Sequence, residues 1–302
     1  MRPAAASGGD PIEGLVIVDK PAGMTSHDVV ARLRRLCGTR RVGHAGTLDP
    51  SATGVLVAGV GRATRLLGHL SLSDKEYEAT IRLGEATVSD DAEGEVISSA
   101  SAVGITEAAV RDVVSQSLTG ALLQRPSSVS AVKVDGRRAY ARVRAGEAVQ
   151  LPPRHVTVHR LEVRASRRPA PHLLDVDVVA EVSSGTYVRA LARDLGDLLG
   201  VGGHLIALRR TRVGPFSLAS ARTLEELQEQ LDVMALAAAV SAFFPCWQVE
   251  ASVADRVLHG ARLPWPDGLP DTGPVGLFGP GGRVLSLARR QDDQAVSLVV
   301  FS

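Results

Sequence analysis

The residue best suited to chemistry is Asp49, in a loop from Gly43 to Gly54 that contains three glycines and one proline. The apolar run over 55–60 that follows predicts a buried strand. A polar loop that feeds a buried strand can hold one side chain rigidly at a surface, as catalysis requires. Asp49 also precedes Pro50, which favours extended backbone. Considered alone, an aspartate in such a loop is more often a turn residue that caps the backbone, so both roles stay open at this point.

Aromatic side chains that could accompany Asp49 are scarce, since the chain has only three tyrosines in 302 residues. Two of them, Tyr77 and Tyr187, lie at the ends of predicted strands beside turns. A tyrosine in such a position can stack on a flat ligand, or it can pack at the edge of the core with its hydroxyl hydrogen-bonded. For either tyrosine alone, the second interpretation is favoured.

Arginine is much commoner than lysine, and it clusters although the formal net charge is only +1. Local basic patches on a near-neutral chain suit a polyanion such as nucleic acid. Ordinary solvated surface explains any single cluster equally well. The clusters lie at 32–41, 137–144, 164–168 and 209–212.

Several classes of protein are excluded by what the sequence lacks. The two cysteines, Cys37 and Cys246, are far apart, so we expect a reducing cytosol rather than a disulfide scaffold. Residues 1–10 lack the apolar core of a signal peptide and are expected to form a disordered tail. The apolar run over 233–244 is too short to span a bilayer and predicts a core helix. We therefore expect a cytoplasmic protein that does not associate with membranes.

Motifs for bound cofactors and metals are missing as well. The sequence has no Walker loop, no full dinucleotide-binding glycine motif, no His-Glu-x-x-His and no Cys-x-x-Cys. The acidic loop at 87–94 does not have the ligand series of a calcium site. We therefore expect neither a cofactor nor a metal.

The elements around these residues predict an α+β fold with a mixed, mainly antiparallel sheet. Alternating or continuous apolar patterns predict strands at 14–18, 55–60, 77–83 and 174–182. Helices are expected after the N-caps Ser26, Thr106 and Thr223, from Gly136, over 190–199 and over 233–244. Residues 202–212 resemble a loop that leads into a basic edge. After Pro245, short apolar pieces predict a small separate β domain with strands at 275–278, 284–288 and 296–301.

Taken together, the motifs resemble those of the bacterial TruB-type tRNA pseudouridine synthases. The resemblance covers roughly residues 12 to 215, and its most specific part is the block around Asp49. The matching motifs, in chain order, are Asp19-Lys20-Pro21-x-Gly23-Met24-Thr25-Ser26, Gly43-His44-x-Gly46-Thr47-Leu48-Asp49-Pro50-x-Ala52-Thr53-Gly54, Lys75-x-Tyr77, Ser130-Ala131-Val132-Lys133 with Gly136-x-x-Ala139-Tyr140, Gly185-Thr186-Tyr187-Val188-Arg189, and Leu205 to Arg210.

The resemblance implies a role for each matching residue. Asp49 would be the catalytic aspartate, and Arg189 the arginine that pairs with it and favours its charged form. The residues that would contact the RNA or its target uridine are His44, Tyr77, Tyr187 and Leu208, and Asp91 would contact flipped-out bases. Lys20 and Pro21 would be mainly structural, and Arg209 and Arg210 would hold RNA phosphates. The acidic loop departs from the family pattern at Val88 and Ser89.

The implied reaction converts uridine to pseudouridine at position 55, in the T-arm loop of tRNA. The N1–C1′ bond breaks and the base rejoins through C5, so no cofactor is needed. The implied domains are a pseudouridine synthase domain over 11–245 and a PUA-like RNA-binding domain over 246–302. The expected partner is the tRNA T-arm stem-loop, with no guide RNA and with a monomeric enzyme. The alternatives are a non-catalytic RNA-binding or RNA-folding protein and a subunit of a guide-RNA-directed complex.

Overall fold

The structure is a computed structural model that describes residues 12–128 and 151–302, with the backbone of a short hairpin between Lys133–Val134 and Arg137–Arg138. The predicted disordered tail over 1–10 lies outside the described residues. The helix predicted from Gly136 is wrong at its start, because Arg137–Arg138 form a strand that pairs with Lys133–Val134, and the rest of that helix lies outside the described residues. The family motif around Tyr140 is therefore not described either.

Nineteen strands and seven α-helices are described. The strands are β1 (Gly14–Lys20), β2 (Val42–Ala45), β3 (Thr53–Val60), β4 (Lys75–Leu83), β5 (Glu85–Thr87), β6 (Val96–Ser99), β7 (Gly120–Gln124), β8 (Lys133–Val134), β9 (Arg137–Arg138), β10 (Arg154–Arg167), β11 (Leu174–Val182), β12 (Gly203–Val213), β13 (Phe216–Ser217), β14 (Met234–Ala235), β15 (Cys246–Gln248), β16 (Leu263–Pro264), β17 (Val275–Phe278), β18 (Val284–Gln291) and β19 (Gln294–Val300). The helices are α1 (Ser26–Leu36), α2 (Leu67–Ser71), α3 (Glu107–Ser117), α4 (Val188–Leu198), α5 (Leu224–Glu229), α6 (Leu236–Phe243) and α7 (Ala251–Leu258).

A ten-stranded sheet forms the body of the molecule, in the order β14-β1-β3-β12-β4-β11-β10-β7, with β2 paired to β3 and β13 to β12. Every described pair in this sheet is antiparallel except β3 with β12, which runs parallel. The predicted α+β class with a mixed, mainly antiparallel sheet is confirmed. The single parallel pair lies at the Asp49 loop, because β3 begins with the last two residues of that loop, Thr53 and Gly54.

Helices cover the sheet through separate apolar clusters. Val110 of α3 and Leu191 of α4 are buried against the half of the sheet that contains β4 and β11. On the other half, Val29 of α1 and Leu224 of α5 pack against Val16 of β1. Burying such side chains contributes about 1.5–3 kcal/mol each. The two halves meet at β3 and β12, which is where the Asp49 loop lies.

Close approach of these two central strands requires a glycine at position 54. Its φ angle is +102°, and a Cβ there would lie 2.2 Å from the carbonyl oxygen of Arg210 on β12. No side chain fits that space, since real Cβ contacts are longer, and the backbone angle itself favours glycine. The last glycine of the Asp49 loop therefore lets β12 lie directly beside the loop.

Three sequence-based expectations for local structure were wrong or incomplete. The N-cap of α1 is Thr25, not Ser26; Thr25 forms a capping box with Asp28, and Ser26 is the first helical residue. Residues 203–213 form the central strand β12 rather than a loop. Strands β7 and β10 were not predicted. The caps at Thr106 and Thr223 are confirmed, and the helix expected over 233–244 is confirmed with shorter bounds.

The residues after Pro245 form a five-stranded sheet in the order β15-β17-β18-β19-β16, accompanied by helix α7, which was not predicted. Phe278 and Leu287 of this sheet share an apolar cluster with Val55 of β3. Arg62 donates to the carbonyl of Phe301 at 3.2 Å. The C-terminal sheet therefore packs on the larger one. None of the helices that the structure describes is long and apolar enough to cross a membrane.

Candidate active site

Asp49 and Arg189, predicted as a pair, meet in the structure. The Nε atom of Arg189 lies 3.1 Å from Oδ2 of Asp49. The side chain of Asp49 is 39% exposed, whereas that of Arg189 is 7% exposed. A charge-assisted hydrogen bond from a buried guanidinium orients the carboxylate. One carboxylate oxygen is thus held from behind, while the group as a whole remains open to a substrate.

Arg189 itself is held by the acidic loop. It is the second residue of α4, and its Nη1 atom lies 3.2 Å from Oδ2 of Asp91 and 3.1 Å from the carbonyl oxygen of Ser89. Because arginine presents a rigid planar fork, it can contact two carboxylates at once in a fixed geometry. The helix, the acidic loop and the Asp49 loop are therefore joined at one guanidinium.

Asp91 is buried and has protein partners on both carboxylate oxygens. Ser89 Oγ donates to its Oδ1 at 2.5 Å, and the backbone N–H of Glu93 donates to the same atom at 3.1 Å. Its Oδ2 faces Arg189. These contacts support a role in positioning Arg189. The predicted contact of Asp91 with flipped-out bases stays a prediction.

The first motif of the chain braces the Asp49 loop. Lys20 is fully buried, and its Nζ donates to the carbonyls of Pro21, Met24 and Pro50 at 2.8, 2.7 and 3.2 Å. Burial lowers the pKa of Lys20, and the nearby charge of Asp49 opposes that shift. The carbonyls replace the water that the ammonium lost on burial. This geometry supports the mainly structural role predicted for Lys20 and Pro21.

A second brace is the hydroxyl of Ser26, at the start of α1. It accepts from the backbone N–H of Leu48 at 2.9 Å and contacts the Leu48 carbonyl at 3.2 Å. The residue immediately before Asp49 is thereby fixed to a helix terminus. A loop tied at both sides of the aspartate keeps its carboxylate in one position.

One cavity contains most of the predicted site residues. Its volume is ≈ 270 Å³, near the lower end of the ~300–1,000 Å³ typical of small-molecule sites. Asp91 lines a smaller adjoining cavity with Asp49 and Arg189. The predicted residues that line the larger cavity are Asp49, Tyr77, Tyr187, Arg189, Leu208 and Arg210. The larger cavity thus combines an exposed carboxylate with aromatic and apolar walls.

Two further cations, Lys75 and Arg154, also line this cavity. The Nζ atom of Lys75 donates to the carbonyls of Ser71 and Ser73 at 3.0 and 2.6 Å. Burial, followed by the charge of Arg210, lowers the pKa of Lys75 to about 8. A cavity with several cations favours an anionic ligand.

Tyr187 is fixed by a residue that sequence reasoning did not single out as functional. The side-chain amide of Gln124, at the end of β7, accepts from the N–H of Tyr187 at 2.9 Å and donates to its carbonyl at 3.1 Å. Gln124 is 2% exposed. A single buried glutamine carries no sequence signal of its own, because only the fold brings β7 next to the start of α4.

We expect Gln124→Glu to reduce kcat/KM about tenfold. A glutamate still accepts from the Tyr187 N–H but leaves the Tyr187 carbonyl without its donor, at a cost of ~1–3 kcal/mol. The measurement is steady-state turnover of tRNA together with thermal unfolding. The matched control is Gln228→Glu, at a residue whose side-chain oxygen accepts from Arg32 at the surface; it should behave as wild type. Equal activity of both variants would contradict a role for Gln124.

His44 lies on β2, at the start of the Asp49 loop, and it is not among the residues that line the cavity. Its ring packs edge-on against that of His27, with centroids 5.5 Å apart. Among the described residues, its Nδ1 atom is buried without a hydrogen-bond partner. A buried polar atom without a partner is costly. The predicted contact of His44 with RNA stays a prediction.

The titration of His44 provides a direct check of that environment. Burial, together with the neighbouring His27 and Arg210, lowers the pKa of His44 to about 4. Because the folded pKa lies below the unfolded value, the neutral ring favours folding, and that contribution is lost as pH falls from ~6.5 towards 4. We expect the NMR shifts of His44 to stay constant between about pH 5.5 and 8. A midpoint near 6.5 would show that the ring is solvated.

Arg209 and Arg210, predicted to hold RNA phosphates, have protein partners instead in this structure. Arg209 forms an ion pair with Asp19 at 2.7 Å and is 38% exposed. Arg210 is 1% exposed and donates to the carbonyls of Val55 and Gly46 at 2.7 and 3.0 Å. The burial of Arg210 favours support of the Asp49 loop over a contact with phosphate. The phosphate role stays a prediction for both residues.

The cavity brings together an exposed carboxylate, a buried arginine that contacts it and two tyrosines, an arrangement suited to an enzyme whose reactive group is a carboxylate. Models of known families match almost all of the chain. The TruB family pseudouridylate synthase N-terminal domain matches residues 34–188. The tRNA pseudouridylate synthase B C-terminal domain matches 189–241, and the tRNA pseudouridine synthase II C-terminal domain matches 244–302. The chain belongs to the TruB family of pseudouridylate synthases.

Curated relatives are similar over nearly their whole length. A protein of Thermobifida fusca named tRNA pseudouridine synthase B is 59% identical over 96% of this chain and 99% of its own. A protein of the same name from Streptomyces griseus is 55% identical over 96% of this chain and 97% of its own. Another, from Rhodococcus jostii, is 57% identical over 95% of this chain and 93% of its own.

Solved structures show the same fold. An H/ACA RNP bound to a substrate RNA containing 2′-deoxyuridine matches with a TM-score of 0.71 at 25% identity, over 96% of this chain and 85% of that one. A Cbf5-Nop10-Gar1 complex matches with the same TM-score at 26% identity, over 96% and 84%. The expected enzyme fold and family are thereby confirmed.

Proposed function

We propose that this protein converts uridine to pseudouridine in tRNA, at position 55 in the T-arm loop. The observation that carries the proposal is Asp49, exposed at a cavity and paired with the buried Arg189. The names of the relatives, which match along almost the whole chain, support tRNA as the substrate.

The carboxylate of Asp49 would act on the ribose of the target nucleotide. The N1–C1′ bond breaks, the base turns, and a C5–C1′ bond forms; the C5 proton is lost and N1 gains one, so no atoms are added overall. Attack on C1′ and removal of a sugar proton both require the ionised carboxylate. Arg189 holds the carboxylate in position. Both routes place the sugar directly over Asp49.

A uridine inside a folded RNA loop must leave its stack to reach this aspartate. The walls of the cavity suit a flipped base, because Tyr77 and Tyr187 offer flat faces and Leu208 an apolar one. Stacking on an aromatic ring contributes ~1–3 kcal/mol per base. These side chains would also exclude water from the broken glycosidic bond.

The enzyme would act as a monomer in the cytoplasm and without a guide RNA. The RNP structures that share the fold are only 25–26% identical to this chain, whereas relatives named for tRNA modification are 51–59% identical. The higher sequence identity to the relatives named for tRNA modification favours an enzyme that acts without a guide RNA. Light scattering of the purified protein tests the monomer directly.

The experiment for substrate and position uses the purified chain alone with an unmodified tRNA transcript. Pseudouridine is mapped by carbodiimide modification and primer extension. We expect one new stop, at position 55, and no stop in a transcript with cytidine there. A requirement for an added RNA or protein would contradict guide-independent action. Modification at other positions only would contradict the substrate assignment.

A further inference from the structure

Arg154 is the first residue of β10, and its guanidinium carbon lies 5.2 Å from the ring centre of Tyr187. Both side chains line the cavity that contains Asp49. The motifs of the sequence gave this arginine no role. An arginine over an aromatic face is oriented by the ring, and its edges remain free to donate hydrogen bonds.

The other arginines near the site already have protein partners, and Arg210 donates to the carbonyls of Val55 and Gly46. Arg189 faces Asp49 and Asp91, and Arg209 faces Asp19. Within the part of the chain that the structure describes, no carboxylate lies within ion-pair distance of Arg154. Its guanidinium lies over the ring of Tyr187. A half-buried cation at a cavity without a counter-ion is a site for an anionic group.

The support beneath Arg154 is rigid. Its backbone pairs with Gln124 of β7, the residue whose side chain clamps Tyr187 at its N–H and carbonyl. Arg154, Gln124 and Tyr187 therefore form one unit, in which Gln124 holds the Tyr187 backbone and Arg154 contacts the Tyr187 ring. A ligand that contacts Arg154 is thus placed at a fixed distance from the start of α4, where Arg189 follows Tyr187.

We propose that Arg154 binds a backbone phosphate next to the uridine that enters the cavity. The inference rests on the proposed function, because it takes an RNA nucleotide as the occupant. A guanidinium matches a phosphate with two parallel hydrogen bonds. The bound phosphate anchors the flipped nucleotide while its base lies against the aromatic walls. Arg154 is a binding residue here, and it does not contact the reacting bond.

The test measures the affinity of a T-arm stem-loop RNA at several salt concentrations, for wild type and Arg154→Gln. Losing one phosphate contact lowers the salt slope by ~0.7–0.9. We also expect about tenfold weaker binding. Arg154→Lys, which keeps the charge but not the fork, should keep the slope and lose part of the affinity. The control is Arg111→Gln, at an exposed arginine paired with Glu107 on α3, which should match wild type.

A second measurement identifies the phosphate. Stem-loops with a single neutral methylphosphonate, 5′ or 3′ of the target uridine, are bound to both proteins. At one of the two positions, neutralising the phosphate should weaken RNA binding by wild type about tenfold. It should leave RNA binding by Arg154→Gln unchanged, as expected for a coupled pair. Equal losses of RNA affinity in both proteins at both positions would overturn the proposal. An unchanged salt slope with reduced turnover in Arg154→Gln would also overturn it and would leave Arg154 as a support for Tyr187.

The outcome is separable from that of the proposed function. If wild type binds the stem-loop but forms no pseudouridine, the proposed function fails, while the salt slope and the methylphosphonate coupling still decide the role of Arg154. Circular dichroism of Arg154→Gln establishes that the variant is folded, and Arg154→Lys supplies a second folded variant should the glutamine variant unfold.

Discussion

Asp49→Asn is expected to lower the rate of pseudouridine formation by more than about 10⁴-fold while tRNA binding changes little. Asparagine has nearly the shape of aspartate, so the loop braced by Lys20 and Ser26 should keep its conformation. The amide cannot attack the sugar as a nucleophile, nor can it accept a proton as a base. The effect therefore falls on kcat rather than on affinity.

The measurement for this variant is single-turnover pseudouridine formation at saturating enzyme, with the dissociation constant of tRNA determined separately. Asp112→Asn is the matched control, at an exposed aspartate on α3, and it should be fully active. Residual activity of Asp49→Asn within about tenfold of wild type would assign the chemistry to another group.

Arg189→Lys is expected to reduce turnover by about 10³-fold and also to lower stability. Lysine keeps the positive charge, but a single ammonium cannot reproduce the fork that spans Asp49 and Asp91. One of the two carboxylates then faces the site without its partner. Breaking a buried ion pair costs ~3–5 kcal/mol when one partner is removed, and we expect part of that cost for the lysine.

Thermal unfolding and single-turnover kinetics together test this second prediction. The control is Arg193→Lys, one helical turn further along α4, which weakens the ion pair with Asp90 at 3.1 Å but does not touch Asp49. The control should lose stability but keep most of its turnover. If both variants lose turnover equally, the effect of Arg189 reflects a weakened helix rather than its contact with Asp49.

Short sequence patterns, such as apolar runs and helix N-caps, predicted the elements whose formation depends on neighbouring residues in the sequence. The apolar run after the Asp49 loop is strand β3, and Thr223, predicted as an N-cap, forms a capping box with Glu226. Strand β12 was mistaken for a loop because its alternation is interrupted. It has irregular register between Leu205 and Ala207 and again between Arg210 and Arg212. A central strand with two such bulges has no clean period of two.

The candidate site could be predicted only in part. Nothing in the spacing of residues joins Asp49 to Arg189, and the family motifs supplied that link. The bracing role of Lys20 follows from three carbonyls that converge only in the folded chain. Gln124 and Arg154 belong to no motif. They come to lie beside Tyr187 only because β7 pairs with β10 in the folded chain.

The central claim is that Asp49 isomerises one uridine of tRNA. Its most direct measurement is the stoichiometry of tritium release from a transcript labelled at C5 of every uridine, because the new glycosidic bond displaces the C5 hydrogen. We expect wild type to release one tritium per tRNA and then stop. Asp49→Asn should bind the same transcript and release none. Release that continues in Asp49→Asn, or no release by folded wild type that binds the tRNA, would contradict the claim.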